Sequence, residues 1–379
     1  MGFKHSALKL GIACLRGIYA LMKLQNKQNR ISIISRQSED TSLDIRMLSN
    51  MIREKYPEVE CHVLVKFIKP GIGRKLGYAF HLLSQMNAMA KSRVVVLDGY
   101  CIAASVLNHK EGTIIIQMWH SMAAIKKFGR QTVDKSAGHS SEIADIMCMH
   151  RNYDYVISPS QKTGQFFCQG FDISRDKLVE MCLPRIDYIK QRKEQNENNI
   201  IEKDSETHKE IILYAPTFRK NDELKVRELF QAIDYDRFLL VVKPHPLYAE
   251  SFSDIIGELN LEGKVIVDSE DGTFDWLGRC DRVITDYSAV AVESLVTEKP
   301  LYFYVYDIDE YEEKVGLNVN PVVEMPSISA RTGDELRALL GSEYDIEMLK
   351  NFRNRYLTAD TEKCTEKLAD FIVGVVDWS

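Results

Sequence analysis

Two histidines stand where a predicted strand ends, and both side chains are suited to proton transfer or phosphate binding. His120 follows the apolar run Thr113–Met118, and His245 lies between two prolines directly after the run Phe238–Lys243. The pKa of imidazole lies near neutral pH, so His120 is a candidate general base. Proline fixes the backbone, so His245 is predicted on a rigid loop, where it binds phosphate oxygens beside the positive charge of Lys243. The alternative for both is an ordinary structural histidine.

The segment Thr285–Ser288 follows another predicted strand and precedes a predicted helix at 289–296. Ser288 is a favoured N-cap residue, and the free N–H groups of a first helical turn bind anions. The segment therefore predicts a phosphate site. The alternative is purely structural, with Ser288 capping the helix and Asp286 forming a turn. A fourth strand-end segment, Ala215–Arg219, adds another basic side chain.

The elements that must position these residues alternate between short apolar runs and stretches with helical spacing. Continuous apolar runs indicate strands that are covered on both faces, as in a parallel sheet. Ligands of such sheets bind beyond the carboxyl ends of the strands, which is where the four segments lie. Ten strands are predicted, at Ile31–Ser35, Cys61–Lys66, Arg93–Leu97, Thr113–Met118, Tyr153–Ser158, Ile211–Tyr214, Phe238–Lys243, Lys264–Val267, Arg282–Thr285 and Leu301–Tyr306.

Chain length and local composition predict two domains. The 379 residues exceed the usual size of one domain, and residues 191–210 are polar and charged with few core-forming side chains. The expected architecture is α/β, with two doubly wound domains that face each other across a cleft. The predicted divisions are a basic amphipathic helix at 1–30, a first domain at 31–190, a linker at 191–210, a second domain at 211–345 and C-terminal helices at 346–379.

The first thirty residues carry six basic and no acidic side chains, although the whole chain has a formal net charge of −6. Apolar residues recur there at helical spacing, at Leu8, Ile12, Leu15, Tyr19 and Met22. This face either packs on the first domain or enters the headgroup layer of an anionic membrane. Arg16 interrupts the apolar run before it is long enough to span a bilayer, and no clear cleavage site follows, so the segment is expected to be retained.

Composition also argues against several classes of protein. An acidic body with a basic end differs from a nucleic-acid-binding protein, which carries its positive charge along a groove. The eight cysteines include no C-x-x-C pair, which argues against a zinc site and a disulfide framework and favours a reducing compartment.

Seven motifs in a fixed order resemble the CDP-glycerol glycerophosphotransferase family, whose members prime or polymerise teichoic acids and related capsular polymers. They are WHSMAAIKKFG at 119–129, ISPS at 157–160, LPRID at 183–187, LYAPTFR at 213–219, KPHP at 243–246, ITDYSAV at 284–290 and EKPLYFYVYDIDEY at 298–311, and ISRQS at 34–38 is also similar. The resemblance implies a GT-B-like architecture of two Rossmann-like domains, an acceptor domain followed by a nucleotide-donor domain. Two positions depart from the family pattern: Ala289 replaces the common second serine, and Val315-Gly316-Leu317 replaces an R-G-F-like element.

The resemblance also implies the roles of individual residues. His120 is the base that acts on the acceptor hydroxyl, and His245 assists at the donor phosphate. The implied donor and phosphate contacts are Lys243, Thr285, Asp286, Ser288, Arg185 and Arg219.

The implied reaction is the transfer of glycerol phosphate, or ribitol phosphate, from a CDP-polyol to a hydroxyl of a lipid-linked sugar or polymer, with CMP leaving. The implied acceptor is a polyprenyl-diphosphate-linked glycan, so the protein is expected on the cytoplasmic face of the membrane as a peripheral protein. No obligatory metal is predicted, although Mg²⁺ accompanying the donor is compatible with the sequence. The alternatives are a UDP-sugar-using GT-B glycosyltransferase or 2-epimerase, and a non-catalytic scaffold with the same fold.

Overall fold

Apolar strands form two separate parallel sheets, one in each half of the chain. The computed structural model describes residues 2–67, 72–135, 138–201, 209–217, 223–244 and 249–378. The strands of the first sheet are β1 Arg30–Ser35, β2 Glu60–Val65, β3 Val94–Leu97, β4 Ile114–Gln117, β5 Tyr155–Ser158 and β6 Leu178–Glu180. The strands of the second sheet are β7 Glu210–Tyr214, β8 Phe238–Val242, β9 Val265–Val267, β10 Arg282–Thr285, β11 Leu301–Tyr304 and β12 Ser329–Ala330.

The order of the strands indicates where on each sheet a ligand is expected to bind. The first sheet has the order β2-β1-β3-β4-β5-β6, and the second has the order β12-β11-β10-β7-β8-β9. The direction of winding reverses between β1 and β3 in the first sheet and between β7 and β10 in the second. In doubly wound sheets the ligand crevice lies at this switch point, beyond the carboxyl ends of the strands.

The helices cover the two sheets. They are α1 Gly2–Met22, α2 Leu43–Lys55, α3 Ile72–Lys91, α4 Ile102–Val106, α5 Ser141–Ile146, α6 Gln161–Phe171, α7 Arg185–Ile201, α8 Glu223–Ala232, α9 Ala249–Glu258, α10 Thr273–Arg279, α11 Val290–Glu293, α12 Ile308–Lys314, α13 Pro321–Glu324, α14 Gly333–Gly341, α15 Ile346–Tyr356 and α16 Cys364–Gly374. The prediction of two doubly wound α/β domains is confirmed. All ten predicted strands are present, nine of them with shifted ends and Arg282–Thr285 with the same ends. Strands β6 and β12 went unpredicted because runs of three and two residues show no periodicity.

The chain divides into two compact units whose boundaries differ from the predicted domains. The first unit comprises Met1–Met122, Lys127–Pro184 and Ala359–Ser379, and the second comprises Ala123–Lys126 and Arg185–Thr358. The C-terminal helices therefore separate, because α15 belongs to the second unit while α16 packs against α2 of the first. Lys55 of α2 lies 2.7 Å from Glu366 of α16, and the Tyr56 hydroxyl donates to Asp370 at 2.7 Å.

The predicted linker at 191–210 is helical in its first half. Helix α7 continues to Ile201 within the second unit, and residues 202–208 lie outside the described part of the chain. Polar contacts hold this helix on α10: the Tyr188 hydroxyl donates to Asp275 at 2.6 Å, and Arg192 lies 2.9 Å from the same carboxylate. Charged and amide side chains give the segment the composition of a linker, but glutamate, glutamine and lysine are also good helix formers. The composition therefore did not separate the two possibilities.

The N-terminal helix α1 packs on the first unit with part of its predicted apolar face. Ile12 and Tyr19 are buried, and the Tyr19 hydroxyl lies 3.1 Å from Nδ1 of His109. Two of the basic residues also point at this unit, since Arg16 donates to the carbonyl of Val106 and Lys23 to that of Asn108, both at 2.9 Å. No helix within the described residues is long and apolar enough to cross a membrane.

Candidate functional site

His120 lies just beyond the carboxyl end of β4, next to the switch point of the first sheet. Its side chain is exposed. The ring nitrogen Nδ1 lies 3.0 Å from the carbonyl oxygen of Asp98, which follows β3, and 3.1 Å from the amide nitrogen of Gln37, which follows β1. The ends of three neighbouring strands therefore meet around one imidazole. Gln37 belongs to the ISRQS segment, whose similarity to the family was the available sequence signal for it.

The two contacts of Nδ1 favour different tautomers of His120. The amide nitrogen of Gln37 can only donate and would need an unprotonated Nδ1, whereas a backbone carbonyl can only accept, so the shorter contact with Asp98 favours the proton on Nδ1. In that tautomer the lone pair is on Nε2, which is the arrangement a general base needs. The predicted role of His120 is chemically compatible with this geometry.

An aromatic cluster supports the residue before His120. Trp119 has φ 55, in the left-handed region that bulky residues rarely adopt. Its indole packs with ring-centroid distances of 5.5 Å to Phe128, 5.0 Å to Phe171 and 5.9 Å to His150. A Cβ at Gly170 would lie 2.5 Å from the Phe128 ring, so the cluster tolerates no larger residue there. The strained backbone at Trp119 is held by packing on several sides.

His150 is the titratable member of this cluster and was not singled out from the sequence. It is 4% exposed, and its Nδ1 lies 2.9 Å from the Tyr153 hydroxyl. Burial, followed by the nearby charges of Arg130 and Arg36, lowers the pKa of His150 to about 3. His150 is therefore neutral at physiological pH and acts as a packing residue.

Two predicted phosphate ligands lie at the switch point of the second sheet, where their side chains bind backbone. The Thr285 hydroxyl donates to the carbonyl of Ala215 at 2.7 Å. The carboxylate of Asp286 accepts from the Thr217 N–H at 2.9 Å and from the Thr217 hydroxyl at 2.8 Å. Both Thr285 and Asp286 are buried. They join the turn after β10 to the turn after β7. Arg219 lies outside the described residues.

The predicted N-cap role of Ser288 is wrong. The helix begins at Val290, its N-cap is Ala289 without a side-chain hydrogen bond, and it ends at Glu293 before a 3₁₀ turn. The Ser288 hydroxyl accepts only a long hydrogen bond, 3.4 Å, from the N–H of Val290. The segment is fixed instead by Tyr287, whose ring is buried and stacks on Tyr311 at 4.2 Å.

Lys243 directly follows β8, and its amine is turned into its own unit. Its Nζ donates to the carbonyl oxygens of Asp268 and Asp271, at 2.6 and 2.5 Å, and it lies 3.9 Å from the Asp268 carboxylate. In this structure Lys243 ties the strand end to the loop after β9. His245, two residues further on, lies outside the described residues.

Arg185, the first residue of α7, forms a buried ion pair within the second unit. Its guanidinium lies 2.5 Å from the carboxylate of Glu293 and 4.9 Å from the ring centre of Phe274. Arg185 is 8% exposed and Glu293 is 2% exposed. The structure thus places this predicted anion contact in a salt bridge at the end of the helix that follows Tyr287 and Ser288.

No cluster of three or more metal-ligating side chains occurs among the residues that the structure describes. The expectation of no obligatory protein-bound metal therefore stays a prediction, as does Mg²⁺ accompanying the donor.

The chain is similar to several known proteins. A family model described as CDP-glycerol:poly(glycerophosphate) glycerophosphotransferase matches residues 18–374. The chain is 25% identical to a teichoic acid ribitol-phosphate primase of Bacillus spizizenii, over 93% of this chain and 92% of that protein. It is 27% identical to a teichoic acid glycerol-phosphate primase of Bacillus subtilis, over 86% of this chain and 83% of that protein.

A solved structure of the wall teichoic acid polymerase TagF has the same fold. The TM-score is 0.70 at 20% sequence identity, over 98% of this chain and 96% of that one. The expected GT-B-like fold is confirmed by this likeness.

Proposed function

Since the chain belongs to the CDP-glycerol:poly(glycerophosphate) glycerophosphotransferase family, we propose that it transfers a polyol phosphate from a CDP-polyol to a hydroxyl group of a lipid-linked acceptor. The acceptor oxygen attacks the β-phosphorus, the bond from that phosphorus to the bridging oxygen breaks, and CMP leaves. Transfers of this kind depend mainly on positioning and on stabilisation of charge.

The observation that carries this proposal is the geometry of His120. Its exposed ring lies with Nδ1 3.0 Å from the Asp98 carbonyl, and with the proton on Nδ1 the basic nitrogen is Nε2. We assign to Nε2 the removal of the proton from the attacking hydroxyl. General base catalysis of this kind contributes about 10²–10⁴-fold.

The donor is assigned to the second unit, as in the sequence-based prediction. The pairing of Asp286 with Thr217, at 2.8 and 2.9 Å, gives the switch point of that sheet a fixed shape. We propose that Thr285 and Asp286 act by shaping the donor loop, while Lys243, Ser288, His245 and Arg219 stay candidate phosphate contacts. Glycerol phosphate and ribitol phosphate are both retained as the transferred unit, because the relatives named above include a primase for each.

The decisive experiment is product analysis by mass spectrometry. The purified protein is incubated with CDP-glycerol, CDP-ribitol or a UDP-sugar and a lipid-linked disaccharide acceptor. We expect CMP and an acceptor heavier by one or more polyol phosphate units with one of the CDP-polyols. Transfer or epimerisation of the UDP-sugar would favour the glycosyltransferase or epimerase alternative, and no binding of any nucleotide would favour the scaffold.

We also propose peripheral association with an anionic membrane through the outer face of α1. The inner face packs on the first unit, but large apolar side chains are exposed on the other: Leu10 at 67% and Leu21 at 70%, with Leu24 just beyond the end of the helix at 80%. With the basic residues of the same segment, this face has the chemistry of an interfacial helix. We therefore assign membrane contact to these exposed leucines, because Ile12 and Tyr19 of the predicted apolar face are buried.

Sedimentation with liposomes containing anionic lipid tests this assignment. Replacing Leu10, Leu21 and Leu24 together by serine should reduce the protein recovered with the liposomes. The matched control replaces the exposed Val323 and Ile346 of the second unit by serine and should leave recovery unchanged. Equal recovery of both variants would contradict the assignment to α1.

A further inference from the structure

Gln117 is the last residue of β4, and its side chain connects two turns of the first unit. The residue is fully buried, with 0% exposure. Its Nε2 donates to the carbonyl of Gly99 at 3.1 Å, and its Oε1 accepts from the N–H of Trp119 at 2.9 Å. One amide thus joins the turn after β3 to the turn after β4.

The orientation of this amide is determined by its partners. The carbonyl of Gly99 can only accept a hydrogen bond, and the N–H of Trp119 can only donate one. A flipped amide would place oxygen against oxygen and N–H against N–H. A buried polar group that lost both bonds would also lack water to replace them.

These two turns are the ones that hold His120. The residue before Gly99 is Asp98, whose carbonyl oxygen lies 3.0 Å from Nδ1 of His120. The residue before His120 is Trp119, whose left-handed backbone persists only if its surroundings hold it. A Cβ at Gly99 would lie 2.4 Å from the amide nitrogen of Gln37, so the first turn is confined on its other side as well.

We propose that Gln117 is a positioning residue for His120: its amide sets the distance between the two turns and thereby keeps the proton of the imidazole on Nδ1. The expected effect of Gln117 on turnover rests on the proposed function. The effect on the tautomer of His120 is independent of what reaction the protein catalyses.

The test replaces Gln117 by methionine, which has a similar length and makes neither hydrogen bond. The matched control is Ile116→Val, which trims the adjacent buried residue of the same strand without touching either turn. The tautomer is read by NMR of protein labelled with ¹⁵N-histidine, with the signal of His120 assigned by its loss in a His120→Gln variant. Steady-state rates are measured with the CDP-polyol that is turned over.

We expect Nδ1–H for His120 in the unaltered protein and in Ile116→Val, and a mixture of tautomers in Gln117→Met. Misplacement of a reacting group by about 1 Å costs on the order of 10²-fold in rate, so kcat should fall by roughly 10–100-fold in Gln117→Met. The KM for the CDP-polyol should be unchanged, because the donor is assigned to the other unit.

Should Gln117→Met fail to fold, Gln117→Glu serves instead, since its carboxylate keeps the acceptor for Trp119 and loses the donor to Gly99. An unchanged Nδ1–H tautomer together with unchanged kcat in a folded variant would overturn the inference. A changed tautomer with unchanged kcat would support the positioning of His120 and would count against its proposed role in transfer.

Discussion

The two strand-end sites of this protein use their motif residues in opposite ways. In the first unit, His120 is exposed and its position is set by backbone groups and by aromatic packing around Trp119. In the second unit, Thr285 and Asp286 are buried and form hydrogen bonds with Ala215 and Thr217. The first motif presents an exposed imidazole, whereas the second joins two turns. Two motifs that resemble the family equally well can therefore differ in whether their side chains are exposed to a substrate.

Replacing His120 should have the largest effect of the substitutions that test this comparison of the two sites. His120→Ala should lower the rate of CMP release by about 10²–10⁴-fold, the usual contribution of a general base. Because the side chain is exposed, the melting temperature should stay within error of that of the unaltered protein. Normal CMP release by the folded variant would remove His120 from the reaction.

Arg185 should behave as a structural residue. Removing one partner of a buried ion pair costs about 3–5 kcal/mol, because the other charge stays buried, and Arg185 pairs with the buried Glu293. Arg185→Met should therefore lose that much unfolding free energy in urea titration. The double variant Arg185→Met with Glu293→Gln should recover part of the loss. A stable Arg185→Met protein with a raised KM for the donor would instead identify Arg185 as a donor contact.

Asp286→Asn should show an intermediate effect on stability together with weaker donor binding. The change keeps the size of the side chain but removes the charge that accepts two hydrogen bonds from Thr217, which is worth about 1–3 kcal/mol. Urea titration and calorimetric titration with the CDP-polyol measure the two effects. Thr217→Ser keeps the hydroxyl and is the matched control, with little change expected in either measurement. Weaker binding without any loss of stability would favour direct contact of Asp286 with the donor.

The aromatic cluster that supports Trp119 contains His150, so the protein should become less stable at acidic pH. The pKa of His150 is about 3 in the folded protein, whereas an unfolded histidine titrates near about 6.5. The unfolded chain therefore binds this proton first, and stability falls as the pH drops from 6.5 towards 3, by up to about 1.4 kcal/mol per pH unit.

Replacing His150 by phenylalanine should flatten this part of the stability profile. Urea titrations at pH 7 and pH 5 measure the difference between the two proteins. The half-buried His109, whose pKa is lowered chiefly by desolvation, is present in both, so its contribution cancels. Parallel profiles of the two proteins would show that His150 is not the group responsible.

Sequence patterns predicted regular structure better than they predicted side-chain partners. The run Val94–Leu97 is fully buried, and a short continuous apolar run of β-branched residues favours a strand that is covered on both faces. In contrast, the partner of Asp286 lies 69 residues away in sequence, on the neighbouring strand end. Ser288 was misassigned for a related reason: an N-cap depends on where the helix begins, and the backbone turns at Tyr287 before α11 starts.

The sequence by itself determined the α/β class, the positions of ten strands and the strand-end location of the motifs, because burial on both faces requires unbroken apolar runs. Only the tertiary structure decided which polar side chains bind other parts of the protein. It also decided that residues up to Ile201 are helical and which face of α1 is covered. The physical reason is that a hydrogen bond or a buried face needs a partner. In a doubly wound sheet that partner comes from a strand or helix far along the chain, so local spacing does not encode it.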